Sequence, residues 1–392
     1  MSDAPLALAL GDDYPEIRAE VAKICAGFPG AYWRELEEAQ AYPDAFVRAL
    51  TESGYLGALI PEAFGGAGLP LRAGAVILET IHRRGCNAGA CHAQMYVMGT
   101  LLRHGSLEQK QRYLPEIAAG RLRLQAFGVT EPGSGSDTPA LKTRAVRRGD
   151  RYVVYGQKVW TSRALASDLM LLLARTTPLD QAKRRTDGLS AFIVDLRESR
   201  GNGLDIRPLK AMINHNTTEV FFDGLEVPAE NLIGEEGRGF RYILDGMNAE
   251  RILLSGEAIG DARWFIATAS AYAKERHVFG RPIGQNQGIQ FPLARALAET
   301  EAADLVTRRA AAMFDAGLEC GAEANMSKLL ASEASWHAAE ACMQTFGGFG
   351  FAREYDVERK WRETRLFQTA PISTNLILAH LAQHVLGLPK SY

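Results

Sequence analysis

The chain has 392 residues, 47% of them hydrophobic, with 44 Lys and Arg against 46 Asp and Glu and a formal net charge of -2. That length and composition supply two or three globular domains with ample core, and the charge balance offers no basic surface to nucleic acid or to an anionic membrane. Five cysteines, Cys25, Cys86, Cys91, Cys320 and Cys342, form an odd set without metal-finger spacing, which fits a reducing compartment, the cytoplasm by default, better than a disulfide framework. At the N-terminus the apolar run 6–10 is too short for a signal or membrane segment, so the chain reads as mature sequence with no membrane insertion. The closing residues 388–392 are not a peroxisomal address.

From about residue 15 to 122 the apolar positions (Phe46, Leu50, Val76, Ile77, Ile81, Leu101) recur with helical spacing, and Gly and Pro punctuate residues 60–70. This predicts a first, all-α unit over 1–123. Cys86, Cys91 and His92 lie close in sequence but lack a fourth ligand, so they read as structural and no metal site is expected.

Between 124 and 235 the texture changes to short β-branched and aromatic runs, predicting strands over 169–176, 189–196, 204–209 and 219–222. Their spacing suits a small barrel or two packed sheets, and no βαβ alternation supports a dinucleotide-binding parallel sheet. Residues 181–186 carry a basic cluster that reads as a solvated hairpin tip. Residues 127–137 place a β-rich run before a turn holding two glycines, a proline and the hydroxyls of Thr130, Ser134 and Ser136. Such a turn admits close backbone approach and suits a polar, planar or phosphorylated ligand; a tight solvated turn between strands is the alternative. A hairpin over 143–155 follows, and its second strand runs on to Trp160, Thr161 and Ser162, a ring and two hydroxyls suited either to stacking on a flat heterocycle or to the core.

From 236 to the end the pattern is helical again, with runs near 240–275, 287–315, 321–346 and 372–386. The first, at about 1.5 Å per residue, spans roughly 50 Å, the length of a bundle helix. Its apolar face (Phe240, Leu244, Met247, Leu254, Ala258, Ala262, Phe265) is interrupted by Arg251 with Glu250 beside it, and Gly246 leaves space one turn earlier. A buried arginine needs an anion; a structural Glu250/Arg251 pairing with neighbouring helices satisfies that need as well as a ligand does. Residues 274–280 set Arg276 and Phe279 before a glycine, and residues 344–350 end a helix in glycines, each arrangement serving either a ligand or an ordinary helix terminus.

Taken together, the 127–137 turn, the Trp160 segment, the Glu250-Arg251 helix, the Arg276/Phe279 segment and the glycine run with downstream Glu354, Arg359 and Glu363 resemble the acyl-CoA dehydrogenase family, in order and over nearly the whole chain. The resemblance implies an α+β multidomain fold: an N-terminal α-helical domain (1–123), a middle β-barrel-like domain (124–235) and a C-terminal four-helix bundle (236–392). It also implies FAD as cofactor, an acyl-CoA substrate, an electron-transferring flavoprotein as electron acceptor and a homotetramer built as a dimer of dimers. By position it assigns Val129, Thr130 and Ser136 to the flavin and thioester, and Trp160 and Ser162 to the isoalloxazine. Arg276, Phe279, Gln287, Gln344, Gly347 and Gly348 fall to the pyrophosphate and adenine, partly across a subunit interface, and Arg251 to the substrate region.

One departure decides the expected base. Many members carry the catalytic Glu in a Tyr-Glu-Gly-Thr-like segment, but here that stretch, 367–375, has Pro371 in its middle and no acid follows Glu363. Isovaleryl-type members are similar to this chain in placing a Glu just before the bundle-helix arginine, which points to Glu250. The chemistry needs a desolvated carboxylate for the α-proton, a hydride acceptor for the β-carbon and donors on the thioester oxygen. An oxygen-using flavin oxidase or monooxygenase, and a non-catalytic FAD/acyl-CoA-binding relative, are the other readings compatible with this fold.

Overall fold

The computed structural model describes residues 12–390. Packing groups the chain into two compact units: one comprises residues up to Glu38, Pro70–Ala88 and Asn248 onward, the other Ala39–Leu69 and Gly89–Met247. The textural boundaries at 123/124 and 235/236 differ from this grouping, because the helices of the first 122 residues divide between the two units.

The mixed unit is built on eight strands: β1 (Leu124–Gly128), β2 (Arg144–Arg148), β3 (Arg151–Ser162), β4 (Leu169–Arg175), β5 (Leu189–Asp195), β6 (Leu204–Pro208), β7 (Thr217–Pro228) and β8 (Leu232–Ile233). They run in the order β6-β7-β3-β2-β4-β5-β8, with β1 added to β4. The β2–β4 link is the single pair Arg144 and Arg175, so two half-sheets meet there, and a common core of Tyr152, Val154, Met170, Leu172, Phe192, Val194, Val220 and Phe222 closes them together in barrel-like fashion. The other face of β4 and β5 (Leu169, Leu171, Ala191, Ile193) packs on helix residues Val97, Leu101, Leu114 and Ile117. Burial on both faces explains why β4 reads Leu-Met-Leu-Leu-Leu-Ala without alternation, whereas the half-covered β7 alternates. β7 also runs well beyond the predicted 219–222: Asp223 and Gly224 look like a strand end in sequence, but β3 pairs with it from Thr217 to Pro228. Of the helices here, Leu107–Ala118 opens with a Ser106/Gln109 capping box, and Gln109 also donates to the carbonyls of Glu230 (2.7 Å) and Leu232 (2.8 Å).

The helical unit contains Pro15–Ala26, Leu71–Arg83, the greater part of Gly239–Glu275, then Gln287–Asp315, Gly321–Phe346, Val357–Arg365 and Thr374–His380. The predicted run 372–386 is shorter as an α-helix: Ser373 caps it through Leu376 N–H, and from Leu381 it widens into a π-helical turn. Its core is alanine-rich at the crossings (Ala258, Ala262, Ala296, Ala303, Ala331, Ala338), with Phe265, Phe346 and Phe367 filling between them. Small residues bring the backbones close. A side chain at Gly260 would stand 2.3 Å from the Glu79 carbonyl, so that crossing requires glycine. Hydroxyls tie three helices: Thr307 to Ser327 (2.9 Å), Ser327 to Ser255 (2.7 Å), and Ser255 to the Arg251 carbonyl (2.7 Å).

Candidate functional site

Each unit carries its own cluster of the predicted residues. In the mixed unit the turn after β1 is held from beneath. Lys158, fully buried on β3, donates to the Val129 carbonyl and to Glu131 (both 2.9 Å), while Glu131 accepts the backbone N–H groups of Lys142 (2.7 Å) and Thr143 (2.8 Å). Burial alone would raise the Glu131 carboxyl, but Lys158 and those donors hold it below the usual carboxylate range. Burial pushes Lys158 down to about 8 against the pull of Glu131, so at neutral pH both are charged. The turn is thus fixed at both ends, with Val129 and Thr130 half-buried and Ser136 exposed at its tip.

Two residues further along β3 the ladder slips: Lys158 pairs with Val220 but Thr161 with Thr218, one extra residue on β3. Val159 N–H turns to the Thr130 carbonyl (2.9 Å), and Trp160 takes a left-handed conformation (φ 60°) that leaves its side chain 59% exposed. A bulge that aims an indole outward at the cost of a strained, non-glycine φ is a site feature rather than core packing. Ser162, half-buried, and the buried Arg163 follow, the latter 3.1 Å from His215. Gly246 does not leave the expected ligand space: a side chain there would meet the Arg103 guanidinium at 3.3 Å and the Thr100 hydroxyl at 3.6 Å.

In the helical unit Glu250 and Arg251 are 5% and 8% exposed. Arg251 reaches Asn248 Oδ1 (3.0 Å), and its Nε has no hydrogen-bond partner among the described residues. Burial lowers the Arg251 pKa and Glu250 opposes this. Sequence reasoning missed Lys328: it is wholly buried, donates to the Ile372 carbonyl (2.7 Å) and is pushed down to about 8 by burial and by Arg251, against Glu250. A lysine among the small residues of helix Gly321–Phe346 was the available signal.

The second predicted region of this unit is a groove of about 620 Å³ lined by Tyr272, Arg276, Val278, Phe346, Gly347, Gly348 and Phe349 among others. Arg276 lies over the Phe349 ring (5.6 Å), and Gly347 has φ 58° and ψ -132°, a conformation that only glycine adopts readily. The structure therefore brings Arg276, Gly347 and Gly348 together. Phe279 (100% exposed), Gln287 and Gln344 are exposed and lie outside the groove lining. Guanidinium, aromatic walls and bare glycine backbone fit an aromatic ring joined to phosphate, and the exposed Trp160 fits a flat tricyclic ring, so the chain's own residues suit a flavin dinucleotide. Among the described residues no group of three His, Cys, Asp or Glu is arranged for a metal ion, and no helix is long and apolar enough to cross a membrane.

Known proteins match throughout. The descriptions Acyl-CoA dehydrogenase N-terminal, middle and C-terminal domain match residues 11–121, 126–225 and 237–386. An acyl-CoA dehydrogenase of Bacillus subtilis is 35% identical over 90% of this chain and 92% of its own length. A glutaryl-coenzyme A dehydrogenase in complex with glutaryl-CoA superposes with a TM-score of 0.88 at 30% identity, covering 96% of this chain and 95% of that one. The FAD complex of PigA gives 0.87 at 25%, over 95% and 97%. With all three domains matched in order and relatives aligned over nearly their full length, the chain belongs to the acyl-CoA dehydrogenase family of flavoprotein oxidoreductases.

Proposed function

We propose that this protein is an FAD-dependent acyl-CoA dehydrogenase that introduces an α,β double bond into an acyl-CoA thioester, with Glu250 as the base. The carrying observation is the Glu250 carboxylate, 5% exposed and next in sequence to the buried Arg251, in a chain that has no acid after Glu363. FAD, when bound, supplies the hydride acceptor for the β-carbon. The chain's part is to remove the α-proton to a Glu250 carboxylate oxygen, to keep that carboxylate ionised through Arg251, and to fix the 129–137 turn through Lys158 and Glu131. Trp160 and Ser162 serve the isoalloxazine; Val129, Thr130 and Ser136 serve the flavin and thioester. The 276–279 and 344–348 segments, with Gln287, serve the pyrophosphate and adenine. Reoxidation falls to an electron-transferring flavoprotein, the assembly is a homotetramer, and the enzyme acts in the cytoplasm within acyl-CoA oxidation. The domain divisions fall at 123/124 and 235/236, a reading supported by the matched segments 11–121, 126–225 and 237–386.

The test is anaerobic flavin reduction by a series of acyl-CoAs, short, 3-methyl-branched and long, with Glu250→Gln beside the wild type. The amide fits the same space but cannot take the proton, so the variant should keep FAD and acyl-CoA binding while reduction slows by several orders of magnitude. Reduction at nearly the wild-type rate would make Glu250 a structural partner of Arg251 only.

A further inference from the structure

Arg175 closes the seam of the mixed unit's sheet, and its side chain does more than close it. Its backbone N–H donates to the Thr143 carbonyl (2.7 Å) beside the single β2–β4 pair. The guanidinium, 7% exposed, directs all its N–H donors to backbone carbonyls. Two of these acceptors, Pro139 (2.7 Å) and Leu141 (3.5 Å), belong to the segment that follows the ligand turn. The others, Asp187 (3.2 Å), Arg185 (3.3 Å) and Thr177 (3.4 Å), belong to the loop between β4 and β5. From that loop the Arg185 side chain reaches back to Asp137 in the turn itself (2.6 Å). The basic run 181–186, exposed as expected at Lys183, Arg184 and Arg185, is thus tied to the turn. The turn is braced as one piece: Glu131 and Ser134 exchange backbone hydrogen bonds (3.0 and 3.1 Å), Ser134 Oγ donates to the Asp137 carbonyl (2.7 Å) and Thr138 Oγ1 to the Gly135 carbonyl (3.0 Å). Ser136 is exposed at the tip, its hydroxyl outside this bracing. Lys158 and Glu131 hold the root of that piece, and Arg175 and Arg185 hold its far half. A lysine at 175 would offer its donors from one point and could not match a planar fork set among carbonyls of two loops.

We propose that Arg175 is a positioning residue for the substrate. Acting through Pro139 and, by way of the 177–188 loop, through the Arg185–Asp137 pair, it sets where the Ser136 tip stands against a bound acyl-CoA. The inference rests on the reading of the 129–137 turn as the one that meets flavin and thioester. Within that turn it divides the work: Val129 and Thr130, at the root held by Lys158, serve the flavin, and the tip held by Arg175 serves the acyl-CoA. A contact between tip and ligand is made alike before and during reaction, so its loss raises KM and spares kcat.

The experiment compares holoenzymes of wild type, Arg175→Lys, Arg185→Ala and the double variant, using the acyl-CoA that reduces the wild-type flavin fastest and a dye as electron acceptor. KM for the acyl-CoA should rise about tenfold in Arg175→Lys and about threefold in Arg185→Ala, with kcat within about twofold of wild type in both. The double variant should show the KM of Arg175→Lys alone, because Arg185 works through the loop that Arg175 holds. FAD retention in equilibrium dialysis should be unchanged, since the root of the turn keeps Lys158 and Glu131. A merely structural Arg175 lowers the urea midpoint and leaves KM where it was; that result overturns the proposal, and so does a raised KM with an equal loss of FAD. A double variant whose KM multiplies the two single effects rejects the shared path through the loop. If Arg175→Lys does not fold, Arg185→Ala decides, because it alters only an exposed side chain: an unchanged KM there overturns the proposal equally. Failure of the enzyme reading is distinct, since the wild type itself would then leave its flavin oxidised with every acyl-CoA, and this proposal would fall with it.

Discussion

The helical unit buries two groups of charges, and they are built oppositely. Around Asp261 opposite charges meet directly: His82 Nδ1 lies 2.7 Å from Asp261, Lys360 pairs with both Asp261 and Glu363, and Arg359 binds Glu363, Asp356 and the Gly85 carbonyl. Ala88 N–H donates to His82 Nε2, which leaves the ring proton on Nδ1 facing Asp261. Around Glu250 the cation contacts among the described residues go to neutral groups: Arg251 reaches Asn248 Oδ1 and Lys328 the Ile372 carbonyl. Direct pairing of opposite charges holds helices together, whereas a cation on a neutral acceptor leaves its charge less compensated. The contrast separates a structural ion cluster from a reactive one without reference to sequence motifs.

The largest effect that would sharpen this contrast is functional. Glu250→Gln should cost several orders of magnitude in anaerobic flavin reduction while leaving urea stability nearly unchanged, and a large stability loss with normal reduction would erase the distinction. The opposite pattern is expected of Asp261→Asn: loss of about 3–5 kcal/mol in urea unfolding, since Lys360 would be left buried with too little counter-charge. Flavin reduction per folded molecule should persist in that variant. Its acid sensitivity should also change. Lys360 and His82 outweigh burial and hold Asp261 below its ordinary pKa, so this stabilisation is full above about pH 4 and disappears as pH falls through the depressed value. Wild type should show that loss and Asp261→Asn should not.

A smaller effect lies at alkaline pH. Lys158 and Lys328 have folded values of about 8 against 10.5 when unexposed to burial, so the unfolded chain binds more protons between those limits. Their contribution to unfolding free energy should therefore rise with pH from about 8 to 10.5, readable by urea unfolding across that range. Smallest is Arg276→Ala, expected to weaken FAD retention by about tenfold to a hundredfold, the worth of one charge-assisted phosphate contact, with little effect on folding since Arg276 is exposed. Unchanged FAD affinity in equilibrium dialysis would remove Arg276 from the groove's function.

Much of the fold was legible because period and punctuation agree with packing. The helix over 240–275 lies one residue from Gly239–Glu275, and β4 and β5 fall within one residue of their predicted ends. β7 was cut short because Asp223-Gly224 mimics a terminus, and only cross-strand pairing with β3 carries the strand through it. In the site, Arg251 stood out as a charge inside an apolar stripe. Lys328 did not, since the helix around it is a mixture of small, polar and apolar residues with no clean stripe to interrupt. The bulge at Trp160 was invisible for a different reason: it is a mismatch of count between two strands, a property of a pair that neither strand contains alone.

The chain of hydroxyls from Thr307 through Ser327 and Ser255 to the Arg251 carbonyl has a mechanical consequence. Sliding helix Gly321–Phe346 along its neighbours by a single residue moves it about 1.5 Å, enough to break both links made by Ser327, to Thr307 and to Ser255, whereas the alanine contacts around the chain would tolerate such a shift. The hydroxyls therefore act as gear teeth in an otherwise smooth bearing. They set the height of Glu250 along the bundle axis from one turn below, so that a change in core volume elsewhere is taken up by helices spreading apart rather than by the carboxylate riding up or down.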